Sequence, residues 1–175
     1  GVGKSHLLVH FGASALKDKK NVVYYSFELN ERMVGVRFDS HLLGINSIDC
    51  FEHKETIRQY YTDNKDELGR LVIKYYPTGQ ATCQTLRTHL DKLSTKGFKP
   101  DLILVDYAGI MRSADKNDLL RLELKKVTEE LRELADEMQC PVFTAAQSNK
   151  EGASSDVIDM TNMTQGARKA ALSAI

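Results

Sequence analysis

Short apolar runs alternate with helical patterns along the chain, and no other feature restricts its possible folds as much. Four runs, 22–29, 71–76, 102–106 and 142–146, are rich in Val, Ile, Tyr and Phe and bounded by turn residues, so each is expected to be a strand. Stretches with helical period lie between them. The clearest is 117–139, where Leu120, Leu124, Val127, Leu131, Leu134 and Met138 recur at steps of three and four, opposite a face of Lys, Glu and Arg. A second, 82–96, carries Leu86, Leu90 and Leu93 and is ended by Gly97 and Pro100. Strands alternating with helices imply an α/β domain, a mainly parallel sheet with helices on both faces. Such a sheet binds ligands in the crevice beyond the carboxyl ends of its strands. The first run closes on Glu28, the third on Asp106 and the fourth on Gln147, so chemistry is expected there.

The chain has 175 residues, 42% of them hydrophobic, which suffices for one core and argues for a single domain over 1–175. No window approaches the roughly 18 consecutive apolar residues of a membrane span, and the N-terminus lacks the layout of a signal peptide. A soluble, cytoplasmic protein with no membrane partner is expected. The three cysteines, Cys50, Cys83 and Cys140, are far apart and without the paired spacing of zinc or disulfide frameworks, so buried or incidental thiols are expected. Lys plus Arg and Asp plus Glu number 24 each, so the totals lack the basic footprint of a protein that coats nucleic acid. A ring enclosing one strand escapes that argument, because it needs only a few cations per subunit.

The chain opens Gly1-Val2-Gly3-Lys4-Ser5-His6 and continues into Leu7, Leu8, Val9 and Phe11, the start of a helix. This is the second half of a phosphate-binding loop of the pattern G-x-x-x-x-G-K-[ST]. In that pattern backbone N–H groups and a helix N-terminus surround phosphates, the lysine balances charge and the hydroxyl ligates Mg²⁺. The run Leu102-Ile103-Leu104-Val105-Asp106 adds a hydrophobic strand ending in an acid, which in phosphate-loop enzymes holds Mg²⁺ through water. Glu28 fits a general base or water-orienting group for attack on a γ-phosphate; the alternative is a helix-capping acid near Asn30 and Glu31.

The segment Tyr25-Ser26-Phe27-Glu28-Leu29, followed by Arg32-Met33 and Arg37-Phe38-Asp39-Ser40, resembles the stretch after the phosphate loop in DnaB-like replicative helicases of tailed phages. The blocks Gly69-Arg70-Leu71-Val72-Ile73-Lys74, Tyr76-Pro77-Thr78-Gly79, 101–111, Glu129-Glu130-Leu131-Arg132-Glu133-Leu134-Ala135 and Thr144-Ala145-Ala146-Gln147 are similar too, in the family's order and spacing. The resemblance covers the chain from Gly1 to about Met163. It implies a RecA-like phosphate-loop NTPase core that couples Mg²⁺-ATP hydrolysis to movement along single-stranded DNA during phage replication.

It also implies roles. Gly1, Val2, Gly3, Lys4, Ser5 and His6 would bind the nucleotide, Ser5 and Asp106 would serve Mg²⁺ (Asp106 through water), and Lys4 and Glu28 would take part in catalysis. Gln147 would sense the γ-phosphate, since an amide can donate to a phosphate oxygen and accept from water; the alternative is a solvated loop residue. Segment 159–169 resembles the loop facing DNA in the ring's channel, with Arg168 and Lys169 placed to pair with backbone phosphates. There Gln165-Gly166 replaces the acidic-Ser pair of relatives, so an ordinary solvated surface is the alternative. A homo-hexamer is implied, with ATP at subunit interfaces, an arginine from the neighbour beyond Ile175, and primase and a helicase loader as partners. A strand preceding the phosphate loop is expected beside run 142–146, and without it the isolated chain is expected to be poorly stable and weakly active.

Two readings from other functional classes stay open: a RecA-like strand-exchange or clock-type ATPase, and a nucleotide-binding scaffold that does not hydrolyse. His6 and His10 stand at helical spacing without the acidic partner of a metalloprotease motif, so ordinary histidines are expected. The run Lys17-Asp18-Lys19-Lys20 falls where the first helix should end, where cations complement the helix dipole.

Overall fold

The computed structural model describes residues 3–111 and 120–145. In chain order the elements are α1 (Lys4–Lys17), β1 (Val22–Ser26), α2 (Glu31–Leu43), α3 (Lys54–Asp63), β2 (Leu71–Tyr75), α4 (Cys83–Ser94), β3 (Leu102–Asp106), α5 (Leu120–Met138) and β4 (Val142–Thr144). Single 3₁₀ turns occupy Asp49–Phe51 and Ala108–Ile110.

All four strands are parallel, in the spatial order β2-β1-β3-β4. Every residue of β1 and β3 is buried, as expected of central strands covered on both faces. The alternation along each strand separates two cores. Val22, Tyr24, Leu102 and Leu104 point to the side of α1 and α2, where Leu8, Val9, Ala13, Leu16, Val34 and Phe38 meet them. Val23, Tyr25, Ile103 and Val105 point the other way, against Leu86 and Leu90 of α4 and Val127, Leu131 and Leu134 of α5. Each such side chain, fully buried, contributes roughly 1.5–3 kcal/mol.

Local signals fix the helix ends. The Asn30 side chain accepts from Met33 N at 2.9 Å to start α2, and Gly44 ends it in the left-handed region at φ 70°. Thr82 and Thr85 form a reciprocal capping box for α4. Arg87 grips Glu137 through two hydrogen bonds of 2.6 and 3.0 Å, joining α4 to α5.

The strands fall within the expected runs, and three of them stop short: β2 ends at Tyr75 rather than at 76. The first closes on Ser26 rather than continuing to 29, and β4 ends at Thr144. Ala146 and Gln147 lie outside the described residues. Phe143 of β4, 43% exposed, meets Phe11 of α1 edge-on at a ring separation of 5.6 Å, and Leu7 of the same helix is 55% exposed. All three cysteines are free and buried. His10 pairs with His41 at 3.2 Å, and Lys17 does occupy the last turn of α1. Among the described residues no helix is long and apolar enough to cross a membrane.

Candidate active site

From β1 the chain crosses to β2 on one side, and β3 then pairs on β1's other side. Strand order thus reverses between β1 and β3, and the crevice beyond their carboxyl ends is where an open α/β sheet receives a ligand. Ser26 and Asp106 are register partners at those ends.

The first turn of α1 contributes an anion cradle. Gly3 precedes it with φ 71° and ψ 0°, a left-handed conformation that glycine adopts without strain. A Cβ there would meet nothing within 4 Å among the described residues, so conformation rather than space requires the glycine. No described side chain caps this N-terminus, and its first turn holds no acidic residue. A helix start without a side-chain cap presents N–H groups and the positive end of its dipole, the features that attract an anion. Lys4 and Ser5 follow, both half-buried, and His6 is exposed. Lys4 Nζ lies 4.5 Å from the centroid of the Tyr107 ring, a cation–π contact.

Asp106 is 1% exposed. The Tyr24 hydroxyl donates to its Oδ2 at 2.7 Å, while its Oδ1 is buried with no hydrogen-bond partner among the described residues. A buried acceptor left unsatisfied costs about 1–3 kcal/mol, and more when charged, so the fold retains this oxygen at a cost. Burial foremost, then the negative charge of Asp106, holds the Tyr24 phenol well above its ordinary range. It is therefore a permanent donor. The turn after Asp106 is held by Thr144, whose hydroxyl donates to Val105 O at 2.8 Å and accepts from Ala108 N at 3.0 Å.

Glu28 does not end a strand. Phe27 N donates to Asp106 O at 3.0 Å, Thr78 Oγ1 donates to Phe27 O at 3.0 Å, and Leu29 N donates to Ser26 Oγ at 3.1 Å. The first is the last bond of the β1–β3 ladder; beyond it the other two hold 27–29 in a bend that leaves Glu28 exposed. Burial, then the charges of Glu28 and Asp106, raises the Tyr107 phenol above its ordinary value. Tyr107 is thus the common neighbour of Lys4, Glu28 and Asp106.

Of the residues expected from sequence, Gly3, Lys4, Ser5, His6, Glu28 and Asp106 gather at this end of the sheet. Gly1, Val2, Gln147, Arg168 and Lys169 lie outside the described residues. Sequence reasoning misses the parts played by Tyr24, Tyr107 and Thr144. A tyrosine in a fully buried strand needs a partner for its hydroxyl, and that signal marks Tyr24 and Tyr25 alike without naming the partner.

The donors present fit Mg²⁺ and a nucleotide. No group of three or more His, Cys, Asp or Glu side chains converges among the described residues, which argues against a dedicated protein cage. Mg²⁺ commonly takes one or two protein oxygens and completes its shell with waters and substrate phosphates. The unpaired Asp106 Oδ1, the Ser5 hydroxyl and the uncapped N-terminus of α1 suit that arrangement.

A parallel sheet covered on both faces, with a glycine-lysine-serine helix start and a buried strand-end carboxylate, defines a RecA-like nucleotide domain. The chain belongs to the family described as "DnaB-like helicase C terminal domain", whose sequence profile matches residues 1–158. It is 34% identical over 175 residues to the "DnaB-like replicative helicase" of Enterobacteria phage T4, covering 95% of this chain and 37% of that protein. It is 24% identical over 151 residues to "Replicative DNA helicase DnaB" of Helicobacter pylori (strain 26695), covering 85% of this chain and 31% of the relative. The chain thus spans about a third of the length of these curated relatives. Among solved structures it superposes on one described as an ATPase domain with a TM-score of 0.77 at 13% identity, covering 94% of this chain and 60% of that one. A DnaB-like replicative helicase described with its interactions with primase gives a TM-score of 0.69 at 14% identity, covering 88% and 41%.

Proposed function

We propose that this chain is the ATP-hydrolysing part of a replicative helicase, coupling Mg²⁺-ATP hydrolysis to translocation on single-stranded DNA. The observation that carries the reading is Asp106, a buried carboxylate with one oxygen that has no partner among the described residues, at the strand end nearest Lys4. Family membership supplies the helicase context.

Bound Mg²⁺-ATP would supply a polarised γ-phosphoryl group for attack by water. The protein's part is positioning and electrostatics on a loose transition state. The α1 N-terminus and Lys4 hold phosphate oxygens and offset their charge. Ser5 and Asp106 would hold the cation, which would offset the phosphate charge. Glu28, exposed beside Tyr107, orients or deprotonates the attacking water. Gln147 senses the γ-phosphate, and Arg168 and Lys169 meet the DNA backbone.

The family likeness supports a homo-hexamer in which a neighbour supplies an arginine, working in the cytoplasm with a helicase loader. A contact with primase is supported by likeness to the helicase solved with it.

The test is ATP hydrolysis by the full-length gene product with and without single-stranded DNA. Strong stimulation is expected. Hydrolysis indifferent to DNA would favour a clock-type ATPase, and binding without turnover would favour a scaffold.

A further inference from the structure

We propose that Tyr24 is a positioning residue for the metal site, fixing which oxygen of Asp106 faces the cation. The inference rests on the reading that Asp106 serves Mg²⁺ through water. A carboxylate at a strand end turns about its last bond, and its two oxygens exchange unless something distinguishes them. Here the Tyr24 hydroxyl binds Oδ2 at 2.7 Å and leaves Oδ1 unpaired. The two residues are 82 positions apart, joined through the adjacent strands β1 and β3.

Tyr24 is itself held on several sides. It is 1% exposed, and its ring meets Phe38 of α2 edge-on, with centroids 5.7 Å apart at 87°. Phe38 in turn fills the space over Gly12 of α1, where an added Cβ would come within 2.8 Å of Phe38 Cζ and 2.9 Å of Leu104 Cδ1. A line of contacts therefore runs from the helix that begins with Lys4, through Phe38 and Tyr24, to Asp106. Partners that orient a metal-binding carboxylate commonly change metal affinity or activity by about 10- to 100-fold when removed. Tyr24 fits that class, because its hydroxyl is committed to the Asp106 carboxylate and its ring is packed independently of that bond.

The experiment uses the full-length protein carrying Tyr24→Phe, Tyr25→Phe or Asp106→Asn. Mn²⁺ binding in the presence of a non-hydrolysable ATP analogue is followed by electron paramagnetic resonance at low temperature, alongside nucleotide affinity without metal and the thermal midpoint. Tyr24→Phe is expected to weaken Mn²⁺ binding about tenfold, with metal-free nucleotide affinity kept. Tyr25→Phe, which loses an equally buried hydroxyl on the opposite face, is expected to leave the Mn²⁺ curve unchanged. Asp106→Asn separates the two levels of the argument. If it weakens Mn²⁺ binding while Tyr24→Phe does not, the positioning role is overturned and the site reading stands. If Asp106→Asn leaves the curve unmoved, the site reading fails and takes the proposal with it. A Tyr24→Phe protein that melts early but binds Mn²⁺ normally while folded also overturns the proposal, since the hydroxyl would then be structural alone.

Discussion

Tyr24 and Tyr25 are consecutive, equally buried, and serve opposite sides of one sheet. On the α1/α2 side, the Tyr24 hydroxyl meets a carboxylate that keeps one oxygen unpaired. On the α4/α5 side, the Tyr25 hydroxyl lies 3.0 Å from His89 Nδ1 and 3.4 Å from Leu86 O, and no buried side-chain N or O atom described there lacks a partner. The first side therefore carries unused polar capacity and the second holds the strands in place. A strand's period of two makes this division, and a shift of one residue in β1 would exchange the two roles.

The comparison breaks most sharply at Asp106. Asp106→Asn keeps an acceptor for Tyr24 and removes the charge, so turnover of the full-length protein is expected to fall about 100- to 1,000-fold, the scale of losing one preorganised electrostatic group. Its thermal midpoint should change little. A large loss of stability with turnover kept would place Asp106 among the structural residues. On the opposite face the pattern should invert. Leu134→Ala, which empties a fully buried position under α5, is expected to cost about 2–5 kcal/mol in urea unfolding and to leave Mn²⁺ affinity per folded molecule unchanged. Thr82→Ala, which removes one half of the α4 capping box, should cost about 1 kcal/mol, also without effect on the metal.

A smaller effect at His89 is read through pH. Burial, then the charges of Lys74, Lys92 and Lys96, lowers the His89 pKa below its ordinary 6.5. Between the lowered folded value and 6.5, the unfolded chain holds a proton that the folded chain has released. Stability contributed by neutral His89 is thus present above 6.5 and is lost as pH falls through that window. The urea midpoint should therefore fall from about pH 7.5 to about pH 5.5 more steeply in the parent than in His89→Gln. Equal slopes would remove His89 from the account.

Much of the fold was legible because a central parallel strand must be apolar throughout, and Leu102 to Val105 can be little else. The position of Glu28 was harder to read. Tyr25 to Leu29 reads as a continuation of the run, yet the β1–β3 ladder makes its last bond from Phe27 N to Asp106 O, and the Ser26 hydroxyl then captures Leu29 N and bends the chain away. Such short side-chain bonds compete with the ladder and leave little trace in periodicity. Lys4, Ser5 and Asp106 stand out in the sequence through motif chemistry, and the structure brings both Lys4 and Asp106 close to Tyr107. The partner of Asp106 was not, since nothing local in the sequence shows which hydroxyl the neighbouring strand brings alongside.

Thr144 carries a mechanical consequence. Its hydroxyl fastens the last residue of β4 to Val105 O and Ala108 N, one on each side of the Asp106–Tyr107 pair. A tug on the outgoing end of β4 is therefore delivered straight to the backbone flanking the carboxylate, before the slack of any loop can absorb it. Both attachments rest on a single rivet, made of one oxygen atom.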